Sequence, residues 1–350
     1  MNELKLYTVK DLQDWLKHNL PAKGLSAKII SPTKAWAIVN NPYVKDKDAV
    51  VAAIFDNGHL AAYVSAFPEV INETRYWWFS ALYCLPQYRG KGYGLIVIGS
   101  LAEVYGVDYC LDRWAAPETI EIFSHLGHKT TYYPRYVLSD KHIDTSSVKG
   151  TLAYVMQKVG KMLHTKHPSF QGESYTLKYL PFIDEQSYAF MQTHRRKDIF
   201  FHARDFLNWV VQYPFTLSTP LMNRVETDNP FSSNVPHSQY VVVQVLVHET
   251  IVGVYILHEG FRALTVTYLY YDAPAQDVVF ASILEHAYSM KVTIFRTENK
   301  TLAEYINTHL YFPKRVEEAI SFSYPLYFAD HSVQDISTGT YQLGDGDSFA

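Results

Sequence analysis

Residues 4–9 read as a short strand, and residues 10–19 then place Leu12, Trp15 and Leu16 at helical spacing. A second helical stretch, 33–40, stops at Asn41-Pro42, because proline excludes helical geometry at the residue before it. Residues 49–64 read as two strands joined at Asp56-Asn57-Gly58, where Asn-Gly supplies the positive φ angles of a tight hairpin. Residues 76–85 form a further strand, dense in aromatic and aliphatic side chains, which Pro86 ends. A glycine-rich segment then opens a helix running to about Tyr105, followed by a strand at 107–114. A helix with proline in its first turn covers 117–126, Gly127 closes it, and 129–138 resumes as strand.

Residues 139–172 change character: a polar start, then an amphipathic stretch carrying Leu152, Val155, Met156, Val159 and Leu163, then His167-Pro168. This reads as a helical linker. The order of elements then returns. Strand 175–180, helices 183–194 and 204–212, a hairpin over 240–257 turning near His248-Glu249-Thr250, strand 263–271, helix 275–290, strand 292–297 and helix 302–310 follow one another. The helix at 204–212 runs into Tyr213-Pro214 with Trp209 before it, much as Trp36 precedes Asn41-Pro42, whereas the polar loop 218–238 has no counterpart in the first half. The pattern predicts two diverged copies of one α/β fold with a mixed sheet. The expected boundaries are a first domain at 1–140, the linker at 141–172, a second domain at 173–330 and a tail at 331–350.

The chain has 350 residues, which also favours two domains. Basic and acidic residues number 31 and 35, a balance that suggests neither a nucleic-acid binder nor a polybasic membrane anchor. Two cysteines, Cys84 and Cys110, are too few for a disulfide scaffold and fit a reducing cytoplasm. The amino terminus has no signal pattern, and no apolar run approaches the roughly 20 residues that span a bilayer. A soluble cytoplasmic protein is therefore expected. The histidines give no zinc-ligand spacing, since His164 and His167 find no further partners, so no metal is expected. The oligomeric state is left open.

The informative chemistry lies in Gln87-Tyr88-Arg89-Gly90-Lys91-Gly92-Tyr93-Gly94. Alternating glycines at a predicted helix start allow backbone to approach a ligand, and the free amides and the dipole there favour an anion such as a pyrophosphate. No acidic residue in register supports a dinucleotide fold, and the Gly-Lys-Ser/Thr of a Walker loop is absent. Arg89-Gly90-Lys91-Gly92-Tyr93-Gly94 resembles motif A of the GNAT superfamily of N-acetyltransferases. Ile120-Glu121-Ile122-Phe123-Ser124-His125-Leu126-Gly127-His128 resembles that family's carboxy-terminal motif. The second half resembles the family by element order only. Its strand-to-helix turn, Tyr271-Asp272-Ala273-Pro274-Ala275-Gln276, lacks the glycines, which implies a copy that has lost its cofactor site.

The resemblance implies acetyl-CoA as cosubstrate and transfer of acetyl to a primary amine of a small molecule or peptide. Backbone groups of Tyr83, Cys84 and Leu85 would hold the pantetheine arm, and one such amide would steady the oxyanion. Gln87 and the amides from Arg89 to Gly94 would hold the pyrophosphate. The family's usual tyrosine acid falls on Phe123 and its frequent asparagine on Ala116, so the donor to the thiolate falls to Ser124, Tyr132 or Tyr133. His128 and Asp112 are the nearby groups for a base. The tail Gly344 to Ala350 is a further one, because tandem folds such as N-myristoyltransferase use a terminal carboxylate. A CoA-binding sensor or scaffold without turnover is the alternative, and an aminoacyl- or long-acyl transferase a further one.

Overall fold

The computed structural model describes residues 2–18, 25–140, 148–164, 174–195, 198–200, 202–213, 238–310, 312–331, 335–336 and 339–344. The chain forms two compact units. One takes in residues 1–133, 197–239 and 320–350, the other 134–196 and 240–319. Both are drawn from interleaved segments rather than from the consecutive stretches expected above.

In the first unit β1 (Asn2–Thr8), β2 (Ala49–Asp56), β3 (His59–Ile71) and β4 (Thr74–Cys84) form an antiparallel meander. Its turns follow local chemistry: Asn57 and Gly58 adopt φ of 48° and 79°, and Asn72 and Glu73 of 50° and 65°. The helix α1 (Val9–His18) precedes α2 (Pro32–Val39), where Ser31 caps the Lys34 amide and Pro32 fills the first turn. The helix α3 (Tyr93–Tyr105) crosses over to β5 (Cys110–Arg113), which runs parallel to β4. After β5 come α4 (Pro117–His125) and β6 (Lys129–Ser139). The core is aromatic, with Tyr63, Phe67, Trp78, Phe79 and Phe123 almost fully buried.

The order of elements then repeats along the chain. The helix α5 (Val148–His164), β7 (Thr176–Leu180) and α6 (Glu185–His194) lie in the second unit, and α7 (Arg204–Gln212), which belongs to the first, follows them. An antiparallel meander of β8 (Gln239–Val247), β9 (Thr250–Gly260) and β10 (Ala263–Tyr271) follows. The helix α8 (Gln276–Ser289) then crosses to β11 (Ile294–Thr297), parallel to β10. The chain continues through α9 (Lys300–His309) and β12 (Lys314–Tyr324) to a short α10 (Leu326–His331). Asp184 and Asn299 cap α6 and α9 through their side chains.

Two departures from the expected layout explain the interleaving. The strand after α4 does not pair beside β5. Instead β6 lies antiparallel to β11 in the second unit, and the end of β12 takes the place beside β5 in the first. The helix α7, expected to serve the second half, belongs to the first unit. There the Trp209 indole donates to the Ala37 carbonyl at 2.7 Å, and Trp36 meets Tyr213 edge-on at 4.8 Å. Just before α7, His202 pairs with Glu69, which also accepts from the Trp78 indole at 2.7 Å. The polar loop 218–237 and the two ends of the expected linker (141–147 and 165–172) lie outside the described residues. No helix among the described residues is long and apolar enough to cross a membrane.

Candidate active site

The site begins where β4 and β5 part. They pair only from Trp77 to Phe79, opposite Cys110 to Asp112. Past Phe79 the strand bends. Ala81 takes φ of 57°, and Ser80 and Tyr83 face Ser65 and Tyr63, so two residues of β4 oppose one of β3. Such a bulge turns a strand away from its neighbour. On the other side, Asp112 and Arg113 are claimed by β12. The Leu85 amide donates to Ala61 at 2.9 Å, so strand alternation directs the N–H and C=O of Cys84 towards the edge that β5 has left.

That edge runs into a tight turn. Pro86–Tyr88 form one 3-10 turn, and Gly90 and Gly92 then adopt φ of 77° and 75°, a left-handed conformation costly for any residue with a Cβ. Nothing lies within 4 Å of where a Cβ would stand at either glycine, so the space before α3 is open. The first bond back into the turn is from Ile96 to the Gly92 carbonyl, 3.1 Å, which leaves the earlier amides of α3 without helical acceptors. The first turn of α3 holds no acidic residue. This is a place for an anion, and its open glycines fit a pyrophosphate.

The side chains of the motif divide. Gln87, Arg89 and Lys91 are exposed. The Arg89 Nε donates to the Cys84 carbonyl at 3.3 Å, and Lys91 lies 3.9 Å from Asp56. Tyr93 is buried, with its hydroxyl on Asn2 at 3.3 Å, so it anchors the helix through its side chain. Gly94 sits under Ile122 of α4, 3.4 Å from an ideal Cβ.

The expected catalytic groups are spread. Cys84 is half-buried, and burial pushes its thiol above the usual range against the opposing pull of Arg89. Ser124 is exposed on α4. His128 is buried; its Nε2 lies 2.9 Å from the Cys110 carbonyl, and burial pulls its pKa down. Its ring meets Phe123 edge-on at 5.1 Å, and Phe123 in turn packs on Phe79. Both therefore belong to the packing between α4 and the sheet. Tyr132 is exposed, and Tyr133 donates to the Ile336 carbonyl at 2.6 Å. Asp112 is 6% exposed at the point where β4 and β5 diverge.

Two features were not anticipated. Lys34 of α2 is buried, with its Nζ on the Ser80 hydroxyl at 2.6 Å, one residue before the bulge, and Ser65 donates to the Ser80 carbonyl at 2.8 Å. A lysine directly before the apolar run Ala35-Trp36-Ala37-Ile38-Val39 was the available signal. Arg113 lies over the Tyr341 ring and donates to the Leu343 carbonyl at 3.1 Å, which fastens the start of the tail to β5. The acidic part of the tail, Asp345 and Asp347, lies outside the described residues. Both cysteines are free thiols, and among the described residues no group of three His, Cys, Asp or Glu side chains could hold a metal.

Residues 10–119 match the family model described as the acetyltransferase (GNAT) family. No curated protein matches the sequence. Among solved structures, a Pyrococcus horikoshii protein assigned as an acetyltransferase shares 11% identity over 99% of this chain and 92% of its own, with a TM-score of 0.50. An Enterococcus faecalis V583 protein of unknown function, assigned as an N-acyltransferase, shares 10% identity over 92% and 72%, also at 0.50. These likenesses are in fold. The match to the GNAT acetyltransferase family, over residues 10–119, takes in the bulged β4, the diverging β5 and the glycine turn.

Proposed function

We propose that the chain transfers an acetyl group from acetyl-CoA to a primary amine of a small molecule or peptide, working in the cytoplasm. The observation that carries this reading is the vacated edge of β4, from Ser80 to Cys84, opening directly onto the uncapped amides of α3. Backbone groups of Tyr83, Cys84 and Leu85 would receive the pantetheine arm as an extra strand. The amides around Gly90, Gly92, Tyr93 and Gly94 would hold the pyrophosphate, with Arg89, Lys91 and Gln87 at its rim.

Acetyl-CoA supplies the activated acyl group: a C–N bond forms to the amine as the C–S bond breaks. The Cys84 N–H, directed at the open edge, would hold the developing oxyanion. Lys34 would act behind it as a positioning residue, fixing Ser80 and adding positive charge beneath the bulge. The amine's proton would pass to a carboxylate near β5, either Asp112 or an acid of the tail that follows Leu343. The thiolate needs little help to leave, because an ordinary thiol pKa is about 8.5. Ser124 is the exposed hydroxyl on α4 able to return its proton.

The second unit fits a degenerate copy of the same fold. Its 3-10 turn, Ala273–Ala275, runs straight into α8 with no left-handed glycine, and Asp272 there is taken by His194 at 2.6 Å. A carboxylate at the helix start disfavours a phosphate.

The buried Phe123 supports a second reading, a CoA-binding protein without turnover. The two separate in one assay, acetyl-CoA with a panel of primary amines under a thiol-reactive dye. Amine-dependent release of free CoA supports the transferase. Acetyl-CoA binding with no release for any amine supports the sensor.

A further inference from the structure

The balanced charge of the whole chain conceals a local imbalance in the second unit. The helix α5 contains three lysines, Lys149, Lys158 and Lys161, and no acidic residue. Leu152, Val155, Met156, Val159 and Met162 recur at helical spacing and form one stripe. They are 61%, 48%, 67%, 47% and 78% exposed, far more than a soluble helix ordinarily leaves bare. By helical geometry Lys149 and Lys158 flank this stripe on opposite sides. The arrangement is that of a helix lying in an interface, with apolar side chains down and lysine stems reaching outward.

A second feature of the same unit points the same way. The carboxy-terminal part of α5 lines a concavity of about 350 Å³ with Arg262 and Lys291, to which α5 contributes Lys158 and Met162. Asp140 is the one acid in its lining. Beside Arg262, at the tip of the β9–β10 hairpin, Phe261 is 71% exposed. An apolar stripe, an exposed phenylalanine at a hairpin tip and a hollow with three cations therefore share one unit.

We propose that this face of the second unit docks on an anionic lipid bilayer. The stripe of α5 and Phe261 would enter the boundary between headgroups and acyl chains, and Lys158, Arg262 and Lys291 would surround a phospholipid headgroup. Charge decides against a second copy of the chain as the occupant. Two such helices packed face to face would bring lysine-only flanks together, whereas anionic lipid complements them. The inference is independent of the acetyl-transfer reading, and it revises the expectation from overall charge that no membrane is involved.

The test is co-sedimentation of the full chain with vesicles of phosphatidylcholine alone and with about 30% phosphatidylserine. The expected result is a partition coefficient higher by on the order of tenfold or more on the anionic vesicles, falling as salt rises. The double variant L152E/M156E places charge on side chains that already face solvent. It should keep its thermal stability and lose that binding by about tenfold or more. The triple variant K158A/R262A/K291A should lose the preference for phosphatidylserine. Equal or absent binding to both vesicle types overturns the proposal, as does undiminished binding by L152E/M156E. A wild-type dimer that L152E/M156E converts to monomer, with no vesicle binding, also overturns it and assigns the face to a second copy.

Discussion

Gly92 is the position where the proposed cofactor site is most exposed to a single change. Its φ of 75° ends the turn and starts α3, and no atom lies within 4 Å of an added Cβ. A substitution there meets no steric neighbour, so its effect comes from conformation alone. Holding a residue with a Cβ in the left-handed region costs about 1–2 kcal/mol. Gly92→Ala has two ways to respond. If the turn holds, stability falls by that amount, a drop of about 2–8 °C in Tm at about 2–4 °C per kcal/mol. If the turn relaxes, the first amides of α3 swing away from the anion. Each hydrogen bond to a charged group is worth about 1.5–3 kcal/mol, so losing one weakens acetyl-CoA binding about 10- to 150-fold. Gly92→Val, with a branched Cβ, should force the second outcome. Gly99→Ala is the control, because Gly99 lies inside α3 with nothing within 4 Å. It should gain about 0.5–1 kcal/mol and leave binding unchanged. Titration calorimetry with acetyl-CoA and thermal unfolding on the three variants separate the cases. Wild-type affinity in Gly92→Val would refute the assignment of the turn to the pyrophosphate.

Further outcomes follow from the same structure. Lys34→Met keeps the stem and removes the buried ammonium from Ser80; kcat should fall at least about tenfold with the Kd for acetyl-CoA nearly constant, and a parallel loss of both would assign Lys34 to folding alone. Glu69→Ala strips the fully buried partner of His202 and Trp78, and urea unfolding should show a loss of about 3–5 kcal/mol. Burial pushes the Cys110 thiol up to about 12 and also raises Cys84; a thiol reagent at neutral pH should label Cys84 slowly and Cys110 only after unfolding, and fast labelling of Cys110 would contradict its burial at the start of β5. His258 is held down at about 4 by burial, with Arg296 adding to the effect. It therefore stays neutral in the fold while the unfolded chain takes up a proton below about pH 6.5. Stability should decline as pH falls from about 6.5 towards 4, by at most about 3 kcal/mol from this group. His258→Gln should flatten that slope.

Much of the local structure was legible because its signals are local. The Asn57-Gly58 hairpin, the proline at the start of α4 and the Arg89 to Gly94 turn each depend on residues within a few positions of one another. The match over residues 10–119 takes in these three features. What was not legible depends on pairing between distant segments. Residues 314–324 carry Lys314, Arg315, Glu317 and Glu318 in their first half and give no predicted element, yet their apolar end forms the strand beside β5. The assignment of α7 to the first unit rests on Trp209 reaching Ala37, 172 positions away. The site shows the same division. The glycine turn was visible in sequence, but the bulge at Ala81 was not, because left-handed geometry at an alanine is imposed by the strands around it. Lys34 on Ser80 and Arg113 on Leu343 likewise become readable only once the sheet has brought them together.

The central claim is that the open edge of β4 and the start of α3 form an acetyl-CoA site. The most direct measurement is thermal unfolding of the purified full chain with acetyl-CoA, coenzyme A or NAD. Ligand at about 100 times its Kd adds about 2.7 kcal/mol to the folded state, a rise of about 5–10 °C. Acetyl-CoA and coenzyme A should each produce such a rise, and NAD none. No shift with either CoA species at millimolar ligand, or an equal shift with NAD, would contradict the claim.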